Sequence, residues 1–128
     1  MERYNTQSFE VILHDNGIVE TKALSDWNMP DTVETITEHA LLLKKIINGK
    51  RRGILGVVPN LYMKKELIEI YNNINIGQVA GALLVNSFGT RVLGNLAMRL
   101  KKRPYPIRMF TDRKEAEAWL LKIMSESD

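Results

Sequence analysis

Apolar residues recur along this chain with two different periods, and the switches between them mark out its elements. Phe9, Val11 and Leu13 alternate with Glu10, Ile12 and His14, the two-residue period of a strand. Asp15-Asn16-Gly17 breaks the pattern, and Ile18 to Leu24 resumes it as a second strand. Asn-Gly is the preferred pair of a type I′ turn, whose two central residues both need positive φ, so a hairpin is predicted here. After the loop Ser25 to Pro30, Asp31 with Glu34 three residues on gives a capping-box pattern. Val33, Ile36, Ala40, Leu43 and Ile47 then fall on one helical stripe, which Gly49 ends.

The remaining chain alternates strand and helix. Gly53 to Val58 and Val79 to Val85 are short apolar runs without polar alternation, as strands covered on both faces should be. Between them Met63, Leu67, Ile70 and Tyr71 mark a helix. Ser87 is placed to cap a third helix carrying Val92, Leu96 and Leu100, and Pro106 to Phe110 reads as the last strand. Asp112 with Glu115 repeats the capping pattern before a helix striped by Ala116, Trp119, Leu120 and Ile123. The predicted order is β-β-α-β-α-β-α-β-α. This is an α/β fold with an N-terminal β-hairpin and a mixed, mostly parallel sheet, its parallel strands joined by right-handed crossovers. Val57 and Leu83 should be fully buried on adjacent central strands. The segments 1–7 and 125–128 should fray.

At 128 residues, with 45% hydrophobic and 26% charged, the chain suits one domain spanning 1–128. Having no cysteine excludes thiol catalysis, disulfides and cysteine zinc sites. The start, Met1 to Asn5, has no apolar run of the kind a signal peptide needs, and the apolar stretch near Ala80 to Val85 is too short to span a bilayer. A cytoplasmic location is expected. Neither a P-loop nor a G-x-G-x-x-G is present, and no cofactor is implied.

The closing segment Met109-Phe110-Thr111-Asp112-Arg113-Lys114-Glu115-Ala116-Glu117-Ala118-Trp119-Leu120 carries a resemblance. A strand ending in Phe, an acidic cap and an Ala-x-x-Trp-Leu helix resemble the end of small stand-alone bacterial STAS-like proteins, related to the anti-sigma-factor antagonist. The element order agrees over nearly the whole chain. The resemblance implies a non-catalytic, regulatory module that binds a protein partner or a small ligand or lipid, and it leaves a homodimer open. Partner-switching members carry a phosphorylated serine at the start of the helix after the central strand. The corresponding stretch here, Val58-Pro59-Asn60-Leu61-Tyr62-Met63, has neither Ser nor Thr, so that switch is not carried over.

Catalysis needs a nucleophile or base with an orienting partner. His14 flanks a turn and His39 lies beside an apolar stripe, and neither has a second histidine or a carboxylate at metal-ligand spacing. No catalytic or metal-binding residue is therefore nominated. Ligands of open α/β sheets favour the carboxyl ends of the strands, where free helix N–H groups also face outward. Asn60, Tyr62, Asn86, Ser87 and Thr90 should reach that edge and are the candidate ligand residues, although Ser87 is better explained as a helix cap. Trp27 and Met29 lie in the loop before the first helix, where an aromatic more often plugs the open side of the sheet than meets a partner.

The net charge of +3 is modest, with aromatics not interleaved for stacking, and no specific nucleic-acid binding is expected. More than half of the 18 Lys and Arg residues fall in two clusters, Lys44 to Arg52 and Arg99 to Arg108. Those in the last turn of a helix offset its negative end. Arg51, Arg52, Arg103 and Arg108 lie beyond the helix ends and are the candidates for an anionic partner. They support the alternative function, association with a lipid or membrane surface through a basic edge.

Overall fold

The computed structural model describes residues 1–27, 29–57, 64–99 and 104–126; within the third segment the side chains at 93, 94 and 96–99 lie outside that description. Six strands and four helices follow one another as β1 (Glu2–Asn5), β2 (Phe9–Leu13), β3 (Val19–Ala23), α1 (Val33–Ile47), β4 (Gly53–Val57), α2 (Lys65–Asn73), β5 (Ala80–Leu84), α3 (Phe88–Arg99), β6 (Ile107–Phe110) and α4 (Arg113–Ser125). The sheet order is β1-β2-β3-β4-β5-β6. Pairing is antiparallel for β1·β2 and β2·β3 and parallel from β3 to β6. The mixed, mostly parallel α/β sheet is the one the pattern predicts.

Strand β1 corrects the expectation that segment 1–7 frays. Tyr4 packs on the core, Arg3 pairs across the strands with Glu10 at 3.0 Å, and the terminal ammonium meets Asp15 at 2.6 Å. Glu-Arg-Tyr-Asn has no apolar alternation because three of its four residues are exposed at the sheet edge. The hairpin joining β2 and β3 forms, but its turn is not type I′. Only Gly17 has positive φ, at 92°, and Asn16 does not. Gly17 N–H donates to His14 O at 3.0 Å, and His14 N–H donates to Ile18 O at 2.9 Å. This loop therefore needs one left-handed residue rather than two.

The first helix also starts one residue later than its acidic pattern suggests. Thr32 is the N-cap, its Oγ1 accepting from Thr35 N–H at 3.2 Å while Thr35 Oγ1 accepts from Thr32 N–H at 2.9 Å. Ile36, Ala40, Leu43 and Ile47 are buried as the stripe requires, but Val33, on the first turn, is 60% exposed. At α4, Asp112 caps Lys114 N–H at 2.8 Å.

Two apolar layers sandwich the sheet. On one face Ala40, Leu43, Ile46 and Ile47 of α1 meet Val11, Val19 and Ile54, with Tyr71 of α2 against them. On the other, Ala116 and Leu120 of α4 meet Ile18, Leu55, Ala80, Ala82 and Phe110. The approach of α4 is close: a Cβ on Gly53 would stand 2.8 Å from Leu120 Cδ2. Strands β4 and β5 are adjacent and parallel as predicted, yet Val57 and Leu83 are half-buried rather than fully buried. Both lie at or next to the carboxyl ends of their strands, where the helical cover thins.

The free edge of β6 is closed by a side chain. Met109 N–H donates to Asn95 Oδ1 at 2.7 Å, and Asn95 Nδ2 donates to Met109 O at 3.2 Å. A carboxamide from α3 thus stands where a seventh strand would pair.

Candidate functional site

Among the described residues, the polar groups with functional potential lie in four places. The first is the carboxyl edge of the parallel strands. Ser87 sits just before α3, its Oγ accepting from Thr90 N–H at 3.3 Å and its carbonyl from Arg91 N–H at 3.0 Å. Ser87 thus serves as the helix cap. Asn86 is exposed beside it and Thr90 is half-buried. Among the described residues, a Cβ on Gly89 would meet only Ser87 Oγ, at 3.8 Å. Phe88 is 66% exposed, with the Arg91 guanidinium 4.5 Å from its ring centroid. Asn60 and Tyr62 lie outside the described residues. In the loop before α1, Trp27 is half-buried, its Nε1 having no described hydrogen-bond partner, and Met29 is exposed.

The second place is the basic edge, and here the division drawn from sequence fails at Arg51 and Arg52. Arg51 and Arg52 lie beyond α1 in the chain, yet both reach helix ends. Arg51 donates from Nη2 to Ile123 O at 2.9 Å and from Nε to Met124 O at 3.3 Å, covering the C-terminal carbonyls of α4. Arg52 donates from Nη1 to Ile46 O in the last turn of α1. Consecutive residues point to opposite faces of an extended chain, so this pair fastens one helix on each side of the sheet. Arg108 is exposed within β6, with its guanidinium 5.3 Å from the Phe110 ring. Arg103 lies outside the described residues.

Third is a carboxylate clamp. Glu20, 5% exposed in β3, accepts from Arg113 Nη2 at 2.8 Å and Nη1 at 3.0 Å, and Oε1 lies 2.8 Å from His14 Nε2. The Arg113 guanidinium, aided by His14, holds the Glu20 carboxyl down at about 2 despite burial. A carboxylate this well paired stays ionised and ties α4 to the hairpin.

The fourth place is built around His39, which is 3% exposed. Nε2 lies 2.6 Å from Thr21 Oγ1 and Nδ1 lies 2.7 Å from the Tyr71 hydroxyl, while Phe9 stacks on the ring at 3.8 Å. One ring nitrogen donates and the other accepts, so a neutral imidazole is satisfied by the two hydroxyls. Burial drives the His39 pKa down to about 3 and pushes the Tyr71 phenol up. Tyr71 also lines a cavity of about 560 Å³ between the end of α2 and the segments leading into β5 and β6. That cavity is at the amino ends of the parallel strands, opposite Ser87.

Residues 56–124, more than half of the chain, match the model of a family described as a domain of unknown function, DUF7793. The chain belongs to this family. No curated protein matches it. A crystal structure of an uncharacterised protein of the DUF3478 family, with a SpoIIAA-like fold and from Shewanella loihica PV-4, is similar with a TM-score of 0.66. The match covers 91% of this chain and 97% of that one at 14% identity, a likeness of fold alone. The fold of this DUF7793 chain is SpoIIAA-like, which is the STAS-like architecture its closing segment resembles.

Among the described residues of the DUF7793 chain, no three histidines or carboxylates are grouped to hold a metal ion, and no helix is long and apolar enough to cross a membrane. Sequence reasoning missed the cavity and its link to His39, since Tyr71 is 32 positions away from that histidine. The usable signal was Asn72-Asn73-Ile74-Asn75-Ile76-Gly77-Gln78, a run of carboxamides without one charged residue.

Proposed function

We propose that this DUF7793 domain is a non-enzymatic, regulatory STAS-like module of the bacterial cytoplasm. It binds a ligand or a partner and works without the phosphorylatable serine of partner-switching relatives. The observation that carries the reading is that the groups best suited to catalysis are spent on one another. Both nitrogens of His39 face hydroxyls, His14 lies against the Glu20–Arg113 clamp, and the Ser87 hydroxyl accepts a helix N–H. A general base works best with a pKa near the operating pH, and His39 at about 3 is far from it. At the position of the switch serine, the sequence from Val58 to Met63 offers no hydroxyl other than the Tyr62 phenol.

The membrane-surface alternative draws less support, because the Arg51 and Arg52 guanidiniums serve helix carbonyls. Native mass spectrometry of protein purified from its own source tests the favoured reading. The expected result is a small-molecule adduct or a second chain travelling with the protein. Recovery of the bare chain alone under gentle conditions overturns it.

A further inference from the structure

We propose that the cavity between the end of α2 and the leads into β5 and β6 is a binding site for an uncharged, polyhydroxylated ligand, a mono- or disaccharide. This rests on the ligand-binding reading above and names the class of ligand and the place it occupies. The volume, about 560 Å³, falls within the range of small-molecule pockets.

The chemistry of the wall decides the class. Asn72, Asn73, Asn75 and Gln78 line it, and among the described residues of the wall none carries a charge. Each carboxamide presents a donor pair and an acceptor, matching hydroxyl groups that both give and take hydrogen bonds. The described residues of the wall offer no cation to a phosphate or carboxylate and no carboxylate to an amine. Wholly apolar ligands would leave the carboxamides unpaired on closure, at a cost that disfavours them.

Most of the other described residues of the wall are aromatic or aliphatic, Tyr71, Tyr105, Ile68 and Ile74 among them. A pyranose has a C–H face beside its hydroxyl rim, so it suits a pocket divided in this way. The Tyr71 ring cannot swing aside, because its hydroxyl is held 2.7 Å from His39 Nδ1 in the core. Alternation fixes the opposite wall. Ile74 and Ile76 pack on the α1 face of the core, leaving Asn73 and Asn75 exposed. Gly77, at φ 91°, turns the chain before Gln78. The recognising groups are thus pre-positioned, which lowers the ordering cost of binding.

The test is titration of the isotope-labelled full chain by amide correlation NMR with methyl β-glucopyranoside, cellobiose and trehalose, beside adenosine and glucose 6-phosphate. At least one neutral sugar should shift the amides of residues 72–78 and Tyr105 at millimolar concentration. Tyr105→Ala and Asn75→Ala should each weaken that binding by roughly tenfold or more, with native-like spectra retained. The proposal fails if none of the three sugars shifts these amides, or if adenosine or glucose 6-phosphate binds there more tightly than every sugar. Shifts confined to Asn86–Thr90 overturn the cavity and leave the module reading standing. Sugar bound in the cavity and converted to product upholds the site and overturns the non-enzymatic reading.

Discussion

Acid should destabilise this protein through one buried imidazole. His39 has a pKa near 3 in the fold, because burial disfavours its charged form, against roughly 6.5 in an unfolded chain. The folded state therefore keeps it neutral where the unfolded state takes up a proton. Stability is full above about pH 6.5 and falls with pH, at about 1.4 kcal/mol per unit, until the folded pKa is reached. Between about pH 6.5 and 5 the loss is about 2 kcal/mol, a large part of a typical margin of roughly 5–15 kcal/mol. Glu20, held down at about 2, acts in the same direction but lower, its contribution being lost as pH falls from the ordinary carboxyl range towards 2. The assay is urea unfolding by circular dichroism at several pH values, on the parent and on His39→Gln. At about pH 7.5 the variant should be about 1–3 kcal/mol less stable, since at least one buried hydroxyl loses its partner. The gap should then close by about 2 kcal/mol on going to about pH 5, because glutamine does not titrate. A gap that stays constant over that interval, with unchanged denaturant slopes, refutes the reasoning.

Three further outcomes follow from the packing. Tyr71→Phe keeps the ring but deprives His39 Nδ1 of its hydroxyl, and should cost about 1–3 kcal/mol in denaturant unfolding. Gly53→Ala puts a methyl 2.8 Å from Leu120 Cδ2, so it should lower stability by about 1–3 kcal/mol, and Leu120→Ala in the same chain should recover part of the alanine's effect. Arg52→Met should cost about 1–2 kcal/mol through the lost bond to Ile46 O, whereas Arg108→Met, at an exposed position, should stay within about 0.5 kcal/mol of the parent. Equal effects at 52 and 108 in thermal melts would contradict the helix-end role of Arg52.

The hairpin, the adjacency of the two central strands and the mostly parallel pairing were legible because each depends on local pattern plus a short rule of connection. The apolar runs from Gly53 and Val79 have no polar alternation, and only strands buried on both faces tolerate that. β1 was not legible, since Glu2 to Asn5 owes its order to edge pairing and to Tyr4 on the core rather than to any periodicity. The Thr32–Thr35 box escaped notice because two hydroxyls replace the acidic partner on which the usual pattern depends. For the site, sequence marks which residues are polar but not where they go. Arg51 and Arg52 look alike along the chain, yet extended backbone sends one to α4 and the other to α1. Ser87 was legible as a cap from its position alone. Tyr71 reads as part of an apolar helix stripe, and its tie to His39 depends on how α2 docks against α1.

The cover that α4 gives one face of the sheet has a consequence for synthesis. Ile18, Leu55, Ala80 and Ala82 are made early, but Ala116 and Leu120, which seal them, come after the last strand. During translation this whole apolar surface stays wet until residues 113–125 clear the ribosome. A stall or truncation before that point leaves a paired sheet with one bare side, the kind of intermediate that holdase chaperones recognise and that aggregates when they are scarce.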